Sequence, residues 1–216
     1  MEKNMMQYCF VDLDKTIYDT DRLLDDMWAV AQNYNIKRSD YDKAFMESLH
    51  TVNEIQYDYS FEEHLNFLKK IGYDIEDEFL NELNSLVNNN YLFPESENFI
   101  NFLKEHSKQV ILLTAGDTHF QMSKIIGCGA EKIFDEIMVS EIQKVEYFSR
   151  HFKGQANKAL FINDNLKENE AIKLMYPELN VICKFNPKKY SEDEMKQSGL
   201  PYFKTLFEIK NYVNQL

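Results

Sequence analysis

The sequence predicts an α/β chain: a Rossmann-like parallel sheet with helices on both faces, interrupted by an inserted helical bundle. Three observations point there. From residue 93 onward, apolar strand-like runs alternate with helical patterns, the order that builds a parallel sheet covered on both sides. One further apolar run, YCFVDLD (8–14), stands alone far upstream. Between the two, residues 17–92 show about four helical patterns and no convincing strand.

The strands are expected at 8–14, 109–115, 136–140, 158–164 and 180–185. The helices between them are bounded by familiar punctuation. FINFLKEH follows Pro94 and Ser96, and THFQMSKII closes at Gly127; VEYFSRHF precedes Gly154, and LKENEAIKLMY stops before Pro177. The terminal GLPYFKTLFEIKNYV reads as an edge strand or turn followed by a helix. In the insert the helical segments are TDRLLDDMWAVAQNY, SDYDKAFMESLHTV, SFEEHLNFLKKIG and EDEFLNELNSLVNN. Leu23, Leu24, Met27, Trp28, Ala31 and Tyr34 recur at helical spacing, as do Phe61, Leu65 and Leu68, and these stripes are read as bundle core. Ser60 followed by Glu63 fits a capping box. The expected division is a catalytic core of residues 1–16 and 93–216 with a cap of residues 17–92.

With 216 residues, 44% of them hydrophobic and 28% charged, the chain has the composition of a globular protein with one core and a smaller companion. Its net charge of −12 disfavours a sequence-independent nucleic-acid surface or an anionic membrane. The insert carries 16 of the 36 acidic residues but only 6 of the 24 basic ones, so a solvated acidic face is expected on the bundle. No segment approaches the ~20 apolar residues of a membrane span. Cys9, Cys128 and Cys183 are widely spaced and odd in number, which suits reduced thiols. A cytoplasmic location is the expectation, with oligomeric state open.

The chemistry gathers at the ends of the strands, where ligands bind in such sheets. Asp12 and Asp14, on extended backbone, point the same way. Two carboxylates coexist there if one is protonated or a cation lies between them. Asp164 ends another strand in FINDN. Three converging carboxylates would make a hard-cation site suited to Mg²⁺. QVILLTAG brings the Thr114 hydroxyl and the amides of Ala115 and Gly116 to the same rim, and Lys144 follows EIMVS by a few residues. A hydroxyl, amides, a lysine and a divalent cation around a carboxylate are a phosphoryl-transfer constellation.

DLDKT (12–16), LLTAG (112–116), Lys144 and FINDNLKEN (161–169), in that order, resemble the four motifs of the haloacid dehalogenase superfamily. The insert between the first and second motifs resembles the C1-type cap of that superfamily. The resemblance implies Asp12 as nucleophile and Asp14 as general acid, then base. It implies Thr114, Ala115 and Lys144 as phosphate-binding groups. It implies Mg²⁺ held by the Asp12 carboxylate, the Asp14 backbone carbonyl and Asp164. Lys153 and Lys158 are alternatives to Lys144 as the motif lysine. Glu168 matches a later acidic position that would orient Lys144 or a metal-bound water. Lys15 stands where relatives commonly have Gly, with its amide within reach of phosphate or its side chain in solvent, and His119 reads as a surface residue.

Dehalogenases of this superfamily usually lack the second aspartate, so Asp14 favours phosphate-ester hydrolysis. The expected activity is a Mg²⁺-dependent phosphatase acting on a small phosphorylated metabolite, of the nucleotide or sugar phosphate class. The alternatives are a phosphomutase, a phosphonatase using a cap lysine (Lys37, Lys43, Lys69 or Lys70), or a non-catalytic phospholigand-binding pseudophosphatase.

Overall fold

A computed structural model describes residues 5–52, 56–152 and 154–216. Its main sheet has six strands, all parallel, in the order β5-β4-β1-β6-β7-β8. They are β1 (Met6–Val11), β4 (Ser107–Ala115), β5 (Glu136–Ser140), β6 (Ala159–Asn163), β7 (Asn180–Lys184) and β8 (Tyr202–Phe203). β1 is central: Val11 lies beside Leu112 of β4 on one side and Ile162 of β6 on the other. Strand order reverses across β1, so the crevice at its carboxyl end is the natural ligand site of the fold. Every residue of β6 is buried, as expected for a strand covered on both faces. Asp12 begins just past the end of β1, and its amide donates to the Ile162 carbonyl at 2.9 Å.

Helices α5 (Ser96–His106), α6 (Thr118–Gly127), α7 (Lys144–His151), α8 (Leu166–Met175), α9 (Glu192–Ser198) and α10 (Leu206–Val213) connect and cover the strands. Two short β–α connections are sealed by side-chain caps. Asp117 accepts from the Phe120 amide at 2.7 Å to start α6, and Asn165 accepts from the Glu168 amide at 3.4 Å to start α8. At the far end, Ser191–Glu194 and Thr205–Glu208 form complete capping boxes. The terminal segment is thus an edge strand followed by a helix, the first of its two expected forms.

The insert holds α1 (Thr20–Asn33), α2 (Arg38–Ser48), α3 (Phe61–Lys70) and α4 (Asp77–Leu86). Their shared core is Leu23, Met27 and Ala31 of α1, Tyr41 and Ala44 of α2, Phe61, Leu65 and Leu68 of α3, and Phe79 and Leu83 of α4, all buried in one cluster. Ser60 caps α3 by accepting from the Glu63 amide at 3.2 Å. One difference from expectation is plain: a small antiparallel hairpin, β2 (His50–Val52) with β3 (Gln56–Asp58), lies between α2 and α3. The helix expected to run through Val52 stops at Ser48, whose hydroxyl turns back onto the Phe45 carbonyl at 2.8 Å. The next residues, LHTVNEIQY, are rich in β-branched and aromatic side chains.

The chain re-enters the core through residues 91–96. The Phe93 amide donates to the Ile17 carbonyl at 2.9 Å, and the buried Ser96 hydroxyl donates to the same carbonyl at 2.7 Å. Both ends of the insert are therefore pinned to the turn that follows β1. Among the described residues, no helix is long and apolar enough to cross a membrane.

Candidate active site

The turn after β1 is held by one carbonyl. Leu13 accepts from the amides of Thr16, Ile17 and Tyr18, and the Lys15 amide donates to the Tyr18 carbonyl at 2.8 Å. Lys15 takes a left-handed φ of 59° to close this turn. Its amide is consumed there and is not offered to a phosphate, while its side chain reaches Asp21 of α1 at 3.4 Å.

Asp12 is 3% exposed. One carboxylate oxygen receives the Lys144 ammonium at 2.6 Å and the other the Thr16 hydroxyl at 3.0 Å. Lys144 opens α7, and its Nζ also meets Glu168 at 3.2 Å and Asn163 at 3.3 Å. The Asn163 amide donates in turn to Glu168 at 2.9 Å, so Glu168 and Asn163 together aim Lys144 at Asp12. Lys158 is exposed, and Lys153 lies outside the described residues. Burial raises the Asp12 carboxyl to about 7, with Lys144 opposing the rise and Asp164 and Asp14 adding to it. Lys144 is itself raised by Asp12 and Glu168, which outweigh the cost of its burial.

Asp14 does not share these partners. Its two carboxylate oxygens receive the ammonium of Lys124 at 2.6 and 2.7 Å, and they also accept from the Thr20 hydroxyl at 2.8 Å and the Gln121 amide at 3.3 Å. Burial alone would raise this carboxyl, but Lys124 outweighs it and, with Thr20 and Gln121, holds Asp14 below the ordinary carboxylate range. Lys124 is 2% exposed and lies over the rings of Tyr18 and Phe120, at 5.3 and 5.1 Å from their centroids. This residue was missed by reading strand ends alone, because it sits in the middle of α6. The sequence signal was slight: Lys124 is the one Lys, Arg, Asp or Glu in THFQMSKII and stands four residues after Phe120.

The expectation of three converging carboxylate side chains is therefore corrected. Asp14 turns to Lys124, and among the described residues no three His, Cys, Asp or Glu side chains cluster closely enough to hold a metal ion. What remains toward a cation is Asp12 and Asp164. Asp164 is buried, accepts from the Asn186 amide at 3.0 Å, and is raised chiefly by burial. Two buried carboxyls pushed toward neutrality beside one another, with a backbone carbonyl between them in sequence, are an all-oxygen donor set that suits Mg²⁺, which keeps several waters of its own.

Thr114 is buried at the end of β4 and lines the same cavity as Asp12, Asp14, Lys144 and Asp164, as does Ala115. Gly116 differs from expectation: its amide donates to the Ser140 carbonyl at 3.0 Å and so serves the sheet edge. His119 is exposed. The cavity measures about 490 Å³ and lies between the strand ends and the insert. Lys37, Lys43, Lys69 and Lys70 of the insert are all exposed and none lines it. At its mouth Asp21 of α1 bridges Lys15 and Lys188, the latter at 2.9 Å.

A family model described as haloacid dehalogenase-like hydrolase matches residues 6–174. Among curated proteins, none matches the sequence. Solved structures share the fold across nearly the whole chain. A haloacid dehalogenase-like hydrolase from Burkholderia xenovorans is 17% identical with a TM-score of 0.74, covering 95% of this chain and 96% of its own. The HAD-hydrolase YfnB from Bacillus subtilis, bound to magnesium, is 20% identical with a TM-score of 0.64, covering 97% and 99%. A structure from Thermotoga maritima described as a β-phosphoglucomutase is 16% identical with a TM-score of 0.64, covering 98% and 100%.

Proposed function

The chain belongs to the haloacid dehalogenase-like hydrolases, and from that premise we propose that it is a Mg²⁺-dependent phosphatase acting on a small phosphomonoester. The observation that carries the reading is the second carboxylate. Asp14 faces the cavity beside Asp12 and is kept ionised by a lysine of its own. A nucleophile that displaces a halide has no use for such a group, whereas ester hydrolysis needs a proton given to the leaving oxygen and another taken from water.

In this reading the Asp12 carboxylate attacks phosphorus in line, the bond to the ester oxygen breaks, and an aspartyl phosphate forms. Asp14 passes a proton to the departing oxygen, drawn from the Lys124 ammonium bonded to it, and then removes one from the water that hydrolyses the acyl phosphate, which restores the Lys124 ammonium. The Thr114 hydroxyl, the Ala115 amide and the Lys144 ammonium hold the phosphoryl oxygens, and Glu168 and Asn163 keep Lys144 in place. Mg²⁺ bound by Asp12, the Asp14 carbonyl and Asp164 would offset the negative charge of the phosphoryl group and of the two buried carboxylates. The partner is a small phosphorylated metabolite, consistent with an acidic chain that repels polyanions. The three cysteines are buried and free, which supports a reducing, cytoplasmic setting.

The test is phosphate release from a panel of phosphomonoesters, with Mg²⁺ or with EDTA, for the wild type and Asp12→Asn. Turnover that needs Mg²⁺ and disappears in the variant is expected. A wild type that releases no phosphate from any ester overturns the reading.

A further inference from the structure

Part of the cavity lining is apolar, and that asymmetry bears on the alcohol half of the substrate. Leu24 and Met27 of α1, Phe45 of α2, Leu49, Tyr59 and Phe120 form this wall. Phe45 and Phe120 flank the Tyr59 ring at centroid distances of 5.2 and 5.3 Å, forming a continuous aromatic face. Among the described residues, the two polar side-chain atoms that the insert brings to this wall are already committed. The Tyr59 hydroxyl is bonded to His64 Nδ1 at 2.9 Å, and the Thr20 hydroxyl donates to Asp14. Among the described residues, every charged side chain lining the cavity comes from the core: Asp12, Asp14, Lys15, Asp117, Lys124, Lys144, Asp164, Glu168, Lys188 and Lys189.

Resting on the phosphatase reading, we infer that the substrate is a phosphomonoester whose alcohol part is a flat, largely apolar ring, and not a sugar phosphate. The phosphate end meets the charged floor and the ring meets the Phe45, Tyr59 and Phe120 face. A polyhydroxylated sugar set against Phe45, Tyr59 and Phe120 loses water from its hydroxyls and finds no free polar side-chain atom on those three in exchange. Of the described side chains lining the cavity, one buried acceptor is left open, Gln121 Oε1, and it belongs to a side chain bonded to Asp14. A ring gains from burial and from aromatic contacts of the offset or edge-on kind. The volume fits a phosphate with one ring system, within the range of ordinary small-molecule sites. The stripe on α1 thus serves two purposes: Met27 is wholly buried in the bundle core yet also borders the cavity, and Leu24 faces the cavity from a half-buried position.

The experiment is calorimetric binding of three non-hydrolysable probes in the presence of Mg²⁺: benzylphosphonate, the phosphonate analogue of glucose 6-phosphate, and inorganic phosphate. Benzylphosphonate is expected to bind at least about tenfold more tightly than the sugar phosphonate, the scale on which an apolar pocket discriminates. In Phe45→Asn the ratio of benzylphosphonate to inorganic phosphate affinity is expected to fall by about tenfold, and in Phe45→Leu by less. A sugar phosphonate that binds as tightly as benzylphosphonate, or a wild type that binds neither, overturns the inference. Binding is read apart from turnover. A protein that prefers benzylphosphonate but hydrolyses no ester keeps ring recognition at this face and loses the phosphatase reading, and with it the ester as substrate; one that hydrolyses sugar phosphates best keeps the phosphatase reading and overturns the inference.

Discussion

The ammonium of Lys124 lies 2.6 and 2.7 Å from the two carboxylate oxygens of Asp14, with the lysine 2% exposed and the Asp14 side chain 30% exposed. The two aspartates of DLDKT therefore do not compete for one compensating charge. Asp12 has Lys144 and Asp14 has Lys124, each ammonium delivered from a different helix.

Replacing Lys124 by Met keeps the length of the side chain and its packing over Tyr18 and Phe120 but leaves Asp14 without its counter-charge. Asp14 then keeps only Thr20 and Gln121 as partners. Turnover is expected to fall by roughly 10- to 100-fold, less than the ~10²–10⁴-fold that a whole acid–base group contributes, because Asp14 itself remains. Esters with poor leaving groups depend on proton delivery, so the aryl-to-alkyl rate ratio is expected to change along with the rate. Steady-state rates on phenyl phosphate and an alkyl phosphate check this. An unchanged rate and ratio would show that the Lys124–Asp14 pair is structural only.

Glu168 is the second carboxylate on Lys144 and also holds the Asn163 amide. In Glu168→Leu both donors lose a buried acceptor, and the expected destabilisation is about 1–3 kcal/mol. Lys144 keeps Asp12 as its ion-pair partner, so the fold is expected to survive while phosphate binding weakens. Denaturant unfolding gives the first quantity and titration with inorganic phosphate the second. A stable variant with wild-type phosphate affinity would remove Glu168 from the positioning of Lys144.

Much of this floor was legible because the fold concentrates it. Asp12, Thr114 and Asp164 each follow an apolar run, and strand ends in a parallel sheet converge. Lys144 could be placed there only by its distance from β5, and the structure separates it from the exposed Lys158. Lys124 was not legible by that logic, since a helix interior carries no strand-end signal and only the burial of an otherwise surface-type residue marks it. The hairpin of β2 and β3 was hidden for a different reason. Its strands are three residues each, too short to show alternation, and they continue a helical run without Gly or Pro between. The double use of the α1 stripe was hidden too, because spacing reports which residues share a face and not what covers that face.

His64 lies wholly buried in the insert between Tyr41, Phe45 and Tyr59, its Nδ1 bonded to the Tyr59 hydroxyl and its Nε2 without a hydrogen-bond partner. Burial lowers its pKa from 6.5 to about 4, against small opposing contributions from the Tyr41 backbone and Asp42. The folded state thus keeps His64 neutral where the unfolded chain takes up a proton. Stability from this group is complete above about pH 6.5 and is lost as pH falls toward 4, to a total of roughly 3 kcal/mol. Urea unfolding at pH 7.5 and pH 4.5 is expected to show a larger acid loss for the wild type than for His64→Phe. Equal losses in the two proteins would place the titration elsewhere.

Gly127 closes α6 where that helix meets the end of α4. A Cβ there would stand 1.6 Å from the Val87 carbonyl oxygen, 2.6 Å from the Val87 carbonyl carbon and 2.8 Å from Asn88 Cα. All three are backbone atoms, so no rotamer change relieves the overlap, and the helix or the Val87–Asn88 segment must move. Gly127→Ala is therefore expected to destabilise the protein by about 2 kcal/mol or more, although alanine is ordinarily the better helix former. Because α6 also carries Phe120 and Lys124, the same displacement reaches the cavity wall and the partner of Asp14. A lowered melting temperature together with weaker benzylphosphonate binding is the expected pair of results. An alanine variant that melts with the wild type would mean that α6 and α4 do not meet as closely as these distances require.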